Sequence, residues 1–370
     1  MRIHIVKREN CTLLQKCGLY AGAVGIALVL GAVLLLSIGV NPLEYYFEMF
    51  TMGTVGNRIA YKTFINYLKD YVPLALTAVA LSLAFKMRFW NIGGEGQFIM
   101  GAIATATVAI LLGGVLPSWL VLILMCLAAM VAAGLYGLLV AALKVKFGTN
   151  ETLLTLMLNY VALYFLTYLL ETKATWNFFL DPTALRPVPK SFDQIVQFPS
   201  IPMGGKFALN ICVLLTVLVG VLVYVYLKRT KQGYEIAVVG DSAGTARYAG
   251  MKVNRIVLRT VLISACLIGL AAAFKVGTVG TLSTTITNDV GWTGIIVAWL
   301  SQLHTGAIFA VSALICVLHT GSVQAAASFS RVDSSFANML QGAILFLILA
   351  ADFFIRFRVV ITKKGGSNHG

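Results

Sequence analysis

Residues 118–142 read SWLVLILMCLAAMVAAGLYGLLVAA, an uncharged and almost entirely apolar stretch. An α-helix needs about 20 such residues to cross the hydrocarbon core of a bilayer. Two further runs of the same quality lie at 19–40 and 208–227. We therefore expect three membrane-spanning helices from these runs alone, because a surface this long and apolar is stable only against lipid or other helices.

Seven more apolar runs lie at 71–88, 92–113, 151–171, 256–274, 287–302, 306–322 and 336–355. The runs at 92–113, 287–302 and 306–322 are weaker because Gly, Thr, Ser and Asn dilute them. The last two are also short, which is typical of broken or re-entrant helices beside a transport pathway. The sequence thus predicts an all-α polytopic membrane protein with about ten transmembrane helices. Four runs in each of the stretches 71–171 and 256–355 favour two pseudo-repeated halves.

The composition excludes several classes of protein. Hydrophobic residues make up 59% of the 370 residues and charged residues only 11%, whereas soluble domains are near 25% charged. These values exclude a soluble enzyme, a nucleic-acid-binding domain and a receptor with a single anchor. The net charge of +14 has another explanation, because Lys and Arg accumulate on the cytoplasmic connections of membrane proteins.

The basic residues predict how the chain is oriented. With ten spans and a cytoplasmic residue 1, the inside connections carry about two Lys and Arg for each one outside. We expect a multi-pass protein with both termini cytoplasmic: an N-terminal segment at 1–18, a transmembrane region at 19–355 and a tail at 356–370. An extracellular loop at about 172–207 holds five of the eight prolines and predicts little regular structure, and a cytoplasmic loop occupies 228–255.

Signatures of catalysis are missing from the sequence. It contains no G-x-x-x-x-G-K-[ST] loop for ATP, no G-x-S-x-G and no H-E-x-x-H. The six cysteines form no C-x-x-C pair and no metal-ligand spacing with the four histidines. We therefore predict no catalytic residue, no metal site and no cofactor in this chain.

The segment 90–97, WNIGGEGQ, concentrates polar and flexible residues at the edge of an apolar run. Three glycines within four positions allow backbone to leave the helix or to approach a neighbour closely. Two interpretations stay open: a polar clamp between helices, or a lining or gate of the pathway. The candidate pathway residues here are Asn91, Glu95 and Gln97, and the candidate gating or close-packing residues are Gly93, Gly94 and Gly96.

A second polar cluster begins the run at 151–171. Asn150 can cap this helix, and Glu151 in its first turn suits the helix dipole, so an interfacial capping role competes with contact to a ligand. Thr155 and Asn159 are four residues apart and share one face, which points to a neighbouring helix or to a cavity. Trp292 can stack on a base, although interfacial anchoring is the commoner role of Trp.

The cytoplasmic loop at 228–255 carries a helix signal of its own. The sequence GDS at 240–242 offers an N-cap, small residues follow, and Gly250 predicts the end of the helix. The segment is either an amphipathic turn that covers the bundle or a docking helix for a cytoplasmic partner. Small side chains let another backbone approach closely, and Arg247 can pair with an acidic partner.

Four stretches resemble the permease subunits of bacterial ABC importers in the branched-chain amino acid and ribose permease superfamily, and most closely the nucleoside-importing branch. They are FWNIGGEGQFIMGA at 89–102, NETLLTLMLNYVA at 150–162, GYEIAVVGDSAGTARYAGM at 233–251 and GWTGIIVAWL at 291–300. The resemblance covers about residues 70–355. Asp241 stands where the family usually has Asn, and WLSQ at 299–302 replaces the usual Leu-Leu-Gly.

The resemblance implies a transport subunit in the bacterial plasma membrane, surrounded by membrane lipid. We expect no nucleic acid as a partner, because topology already explains the positive net charge. Its partners would be an ABC ATP-binding subunit holding ATP and Mg, a second permease subunit (a heterodimer rather than a homodimer) and an extracellular substrate-binding lipoprotein. The cytoplasmic helix then becomes a coupling helix. The residues that the resemblance assigns to coupling with the ATPase are Gly240, Asp241, Ala246, Arg247 and Gly250.

Other functions compete with nucleoside import. A permease for simple sugars or branched-chain amino acids shares the same family. An ion-coupled secondary transporter would need a buried ionisable group, and Glu95 or Glu151 could serve. A membrane scaffold or receptor without transport activity is a third class.

Overall fold

A computed structural model describes residues 2–7, 12–55, 57, 60–193, 196–204, 207–329, 331–332 and 334–362. Its helices are α1 (Leu13–Ser37), α2 (Pro42–Thr51), α3 (Ala60–Lys86), α4 (Gly94–Leu112), α5 (Ser118–Phe147), α6 (Glu151–Glu171), α7 (Ile211–Arg229), α8 (Lys231–Asp241), α9 (Ala243–Tyr248), α10 (Val253–Val279), α11 (Val290–Leu300), α12 (Thr305–Ser328) and α13 (Ser334–Arg356). Its strands are β1 (Arg2–Lys7), β2 (Ser200–Gly204), β3 (Phe207–Asn210) and β4 (Phe357–Thr362).

Nine helices in the described ranges are long and apolar enough to cross a membrane. The protein is therefore an all-α polytopic membrane protein, as its composition predicts. The run at 287–302 differs from the prediction of a full span. It forms only α11, whose 11 residues extend about 16 Å at 1.5 Å each, against a hydrocarbon core of about 30 Å. The short run at 306–322 lies within α12, which has 24 residues.

Local chemistry explains where several helices begin and end. Asn150, Asn210 and Thr230 lie just before α6, α7 and α8, and each side chain accepts a hydrogen bond from a free backbone N–H of the first turn. At the other end, α5 is followed by Gly148 with φ of +67° and α10 by Gly280 with φ of +80°. Glycine adopts this left-handed conformation without steric cost, so the helices stop there.

The chain divides into two compact units. The larger unit, Phe64–Cys316, is centred on α4, α5 and α10, which pack through small residues. A Cβ added to Gly101 would lie 2.9 Å from Gly269 Cα, and one added to Gly137 would lie 2.6 Å from Ala265 Cβ. Lipid cannot drive apolar helices together, so this close approach supplies the van der Waals packing that holds them.

The smaller unit comprises Met1–Thr63 and Val317–Gly370. Here α1 packs on α13, and the buried ring of Tyr45 contacts the rings of Phe329 and Phe336. Strand β1 pairs antiparallel with β4, from Arg2 opposite Thr362 to Lys7 opposite Phe357. Residues 2–7 of the predicted N-terminal segment and 357–362 of the predicted C-terminal tail thus form a two-stranded ribbon, and residues 1, 8–11 and 363–370 lie outside the described residues.

The proline-rich loop at 172–207 has more structure than its sequence predicts. Strands β2 and β3 form an antiparallel hairpin, and an isolated bridge joins Leu180 to Pro189. A second bridge links Ser191 to Thr281, which follows α10. These pairings satisfy backbone groups that the prolines leave without helical partners.

Candidate functional site

The polar segment 90–97 is the break between α3 and α4. After Lys86 the chain is non-helical until Gly94, and Asn91 within it is fully buried. The Asn91 Oδ1 atom accepts from the Gly93 N–H at 3.1 Å and from Gln97 Nε2 at 3.1 Å. Its Nδ2 atom donates to Gln97 Oε1 at 3.2 Å. The two amides therefore satisfy each other and hold the broken backbone in one conformation.

Asn159 reaches this break from α6. Its Nδ2 atom donates to the Ile92 carbonyl at 2.9 Å, while its Oδ1 atom accepts from the Gly96 N–H at 2.8 Å. One side chain thus satisfies a free carbonyl before α4 and a free N–H in its first turn. Thr155, one turn earlier on the same face, lies against Gly93 and donates its hydroxyl to the Glu151 carbonyl. In this arrangement both side chains contact the broken segment and not an open cavity.

Asn150 and Glu151 are set apart from the break. Asn150 caps α6 through the N–H groups of Thr152 and Leu153. The Glu151 carboxylate forms an ion pair with Lys144 at 2.5 Å, near the end of α5. The structure therefore gives both residues a capping and pairing role at the start of α6, and it does not bring them together with Glu95.

Glu95 joins the starts of two helices that are 196 residues apart in sequence. Its Oε2 atom accepts from the Gly291 N–H at 2.7 Å, and the Trp292 N–H and the Thr287 hydroxyl also hydrogen-bond to the carboxylate. A carboxylate suits this position because the first N–H groups of α11 carry partial positive charge. The N-terminus of α11 is thus capped by a buried side chain from α4. The Trp292 side chain itself is 37% exposed.

The glycines permit these contacts. A Cβ on Gly93 would lie 3.1 Å from Thr155 Cβ, and one on Gly96 would lie 3.0 Å from Asn159 Oδ1. At Gly94 the nearest atoms are 3.4 Å away, which is ordinary packing. The most constrained glycine of this site is Gly291, which was not among the predicted gating residues: a Cβ there would collide with the Glu95 backbone nitrogen. The sequence feature that could have indicated this close contact is the pair of glycines at 291 and 294.

The segment predicted as a coupling helix forms α9. The Ser242 hydroxyl caps it through the Thr245 N–H at 3.2 Å, and Gly250 ends it with φ of +75°. Asp241, Arg247 and Gly250 are exposed.

Two of the residues predicted for coupling pack against the chain itself. Ala246 is fully buried in a core shared with Ala84 and Ile236, and a Cβ on Gly240 would collide with the Lys86 carbonyl oxygen. Both residues let α8 and α9 pack on the end of α3. The sequence prediction treated the small residues of the loop as one surface because of their size. In the helix, periodicity places Ala246 on the face that packs against the protein core. Tyr248, next to Arg247 on α9, is 97% exposed.

An ion pair inside the larger unit was not predicted from the sequence. Lys275 Nζ of α10 lies 2.5 Å from Asp70 Oδ1 of α3. Lys275 is buried and the Asp70 side chain is one-quarter exposed. This ion pair could have been predicted from one acidic and one basic residue, because each lies at the edge of an apolar run and both are predicted on the same side of the membrane.

The sequence of this chain matches a known protein family. Residues 63–349 match the family described as the permease component of branched-chain amino acid transport systems. The glucose ABC transporter permease protein TsgB13 of Haloferax volcanii is 29% identical over 90% of this chain and 87% of its own length. The nucleoside permease NupB of Lactococcus lactis is 27% identical over 81% of this chain and 82% of its own.

A third relative has a similar relation to the chain. The guanosine ABC transporter permease protein NupP of Bacillus subtilis is 27% identical over 81% of this chain and 84% of its own length. The family match covers most of the chain and includes the break before α4, α9 and α11. The chain belongs to the branched-chain amino acid transport system permease family and is a multi-pass permease component of an ABC transporter.

Proposed function

We propose that this permease carries nucleosides across the bacterial plasma membrane into the cytoplasm. The observation that carries the proposal is the similarity, over about four-fifths of the chain, to two permeases named for nucleoside and guanosine transport. Glucose is the second candidate substrate, because a glucose permease is similar over 90% of the chain. Nucleosides and sugars share hydroxyl-rich rings without a formal charge.

The capped start of α11 favours such uncharged substrates over branched-chain amino acids. Broken helices in transporters commonly direct a free N-terminus at the carboxylate of an amino acid substrate. Here Glu95 already holds the Gly291 and Trp292 N–H groups. A substrate carboxylate would have to displace a buried carboxylate, which costs hydrogen bonds and places like charges together.

Transport requires partners that supply energy and substrate. We propose a separate ABC subunit that binds ATP and Mg, an extracellular substrate-binding lipoprotein and a second, different permease chain. The exposed side chains of Asp241, Arg247 and Tyr248, around Gly250, offer the ATP-binding subunit a contact surface. Tyr and Arg are the residues most often dominant in interfaces.

The proposed orientation has both termini in the cytoplasm. Strand β1 pairs with β4. We therefore propose that both strands lie on one side of the membrane, which makes the number of crossings between them even. Nine long helices are an odd number, so we propose that the segment 281–289 and α11 together complete the tenth crossing. The basic residues favour the cytoplasm as the shared side.

Uptake by cells with the intact transport system tests the substrate. Cells should import labelled uridine or guanosine, a strain lacking this chain should not, and excess glucose should leave nucleoside uptake unchanged. Glucose import that depends on the chain, without nucleoside import, would overturn the proposal in favour of a sugar permease. Uptake abolished by an uncoupler but insensitive to ATP depletion would overturn ATP-driven transport in favour of ion coupling.

A further inference from the structure

The backbone around α11 is unusual on both sides of the helix. Asn288 and Asp289 precede it with φ of +47° and +55°, and Gln302 and Leu303 follow it with φ of +50° and +59°. Only two other non-glycine residues in the described ranges have positive φ. Most residues with side chains pay a steric cost in this conformation, Asn and Asp less than Gln and Leu, and such strain accumulates at hinges and switches. A strained pair at each end marks α11 as a segment with two pivots.

Three of the buried polar atoms without a partner in the described residues lie in or beside the same helix. The buried atoms Thr77 Oγ1, Trp299 Nε1 and Ser301 Oγ form no hydrogen bond with any described residue. Thr77 faces Gly294 across the contact between α3 and α11, and the Trp299 ring packs on Phe85, further along α3. Buried polar groups are almost always satisfied, so three orphans around one short helix require an explanation. A second position of α11, in which these groups meet water or substrate, provides it.

A single buried side chain holds α11 in its present position at its N-terminus. The Glu95 carboxylate binds the first turn, and the Gly291 backbone lies against the Glu95 backbone. At the other end Trp299 stacks on Trp90 with centroids 5.2 Å apart, and Trp90 belongs to the non-helical segment before α4. Both ends of α11 are therefore in contact with the segment 90–95.

We propose that α11 is a gate of the translocation pathway, which is closed here and opens by rotating about Asn288–Asp289 and Gln302–Leu303. Opening separates α11 from α3 and exposes Thr77, Trp299 and Ser301 as hydrogen-bonding groups for a hydroxyl-rich substrate. The Glu95 carboxylate stabilises the closed state through its hydrogen bond to the first turn of α11. The proposal rests on the proposed transport function, but not on which uncharged substrate is carried.

A disulfide tether between α3 and α11 tests the movement. A Cβ on Gly294 would lie 3.2 Å from Thr77 Cγ2, so Thr77→Cys with Gly294→Cys brings two thiols within bonding reach. The pair is placed in a chain whose native cysteines are replaced, and uptake is compared in the same cells after oxidation and after reduction. Oxidation should reduce uptake about tenfold relative to the reduced double variant, because a tethered gate cannot open, and reduction should return uptake to that variant's own level.

The matched control joins two helices that we expect to stay together. Gly134→Cys, in a chain that keeps only the native Cys266, tethers α5 to α10, since a Cβ on Gly134 would lie 2.7 Å from Cys266 Sγ. Oxidation should leave its uptake unchanged. A confirmed disulfide between positions 77 and 294 with undiminished uptake would overturn the gate and leave the proposed function standing.

A labelling experiment gives a readout that does not depend on the substrate or on the double variant. Ser301 is 3% exposed, so a water-soluble maleimide should reach Ser301→Cys slowly in ATP-depleted cells and several-fold faster in energised cells. Val115→Cys, at a position 73% exposed, should label equally in both. Equal rates at position 301 would overturn the gate. Faster labelling there in cells that import no nucleoside would instead overturn the substrate assignment.

Discussion

At the scale of single residues, the Asn159 side chain supplies hydrogen bonds that a continuous helix would supply from its own backbone. It bonds the Ile92 carbonyl and the Gly96 N–H, two backbone groups that the break before α4 leaves without helical partners. Of the two roles that its sequence position allows, the contacts favour the clamp. Its effect on transport would then be indirect, through the geometry of segment 90–97.

We expect Asn159→Leu to destabilise the permease by about 1–3 kcal/mol, because two buried backbone groups lose their partners. The measurement is the midpoint of thermal unfolding of the purified protein in detergent. Thr167→Val, which removes an exposed hydroxyl of the same helix that bonds only the Leu163 carbonyl, should change the midpoint little. A normal midpoint combined with a several-fold weaker apparent affinity for substrate would contradict the clamp and favour direct contact.

The ion pair of Lys275 with Asp70 is a second residue-scale feature with a measurable effect. Lys275→Met leaves a partly buried carboxylate without its partner, and we expect a loss of roughly 2–3 kcal/mol, reduced by the exposure of Asp70. The double variant Lys275→Met with Asp70→Asn should recover most of this loss, because neither charge then remains. Thermal unfolding of both variants measures it, and equal losses would show that the packing of Lys275 matters more than its charge.

At the scale of elements, the meeting of α4 and α11 depends on glycine at one position more than at its neighbours. Gly291 has no room for a methyl group against the Glu95 backbone, whereas Gly94 has ordinary van der Waals space. Each helix begins inside the larger unit after a non-helical segment, one in each of the two halves proposed from the apolar runs.

We expect Gly291→Ala to lower the amount of folded permease severely, with a cost of about 1–3 kcal/mol for overpacking, and to reduce uptake in proportion. Gly94→Ala should cost less than half as much. Fluorescence-detected size exclusion of both variants provides the comparison. If the two substitutions behave alike, the helix starts do not approach as closely as the structure places them.

At the scale of the whole molecule, burial decides which residues of α9 can contact another protein. We expect Tyr248→Ala and Arg247→Glu to insert normally and to weaken co-purification with the ATP-binding subunit by about 2 kcal/mol, or roughly thirtyfold in affinity. Val115→Ala, at an exposed position predicted on the opposite side, should leave it unchanged.

The variant Ala246→Trp tests whether the buried residue of α9 supports folding while the exposed residues contact the partner. It should reduce the amount of folded chain, because Ala246 is fully buried among the chain's own residues. A normally folded Ala246→Trp variant that alone loses the ATP-binding subunit would show that this side chain faces the partner after all.

The sequence by itself determined the class of the protein, nine of its ten predicted membrane spans and the polar segments that matter. Length and hydropathy suffice for this, because the bilayer imposes one requirement on every span independently of the others. Local capping chemistry likewise predicted the start of α6 at Asn150 and the end of α9 near Gly250.

Only the tertiary structure decided which polar groups meet. The contact of Glu95 with Gly291, the reach of Asn159 to Ile92 and the pairing of Lys275 with Asp70 join residues far apart in sequence. Hydropathy also does not predict that Ala246 is buried or that α11 has only 11 residues. Hydropathy records how much each residue prefers lipid, whereas partner choice depends on the packing of helices against one another, which is a property of the whole chain.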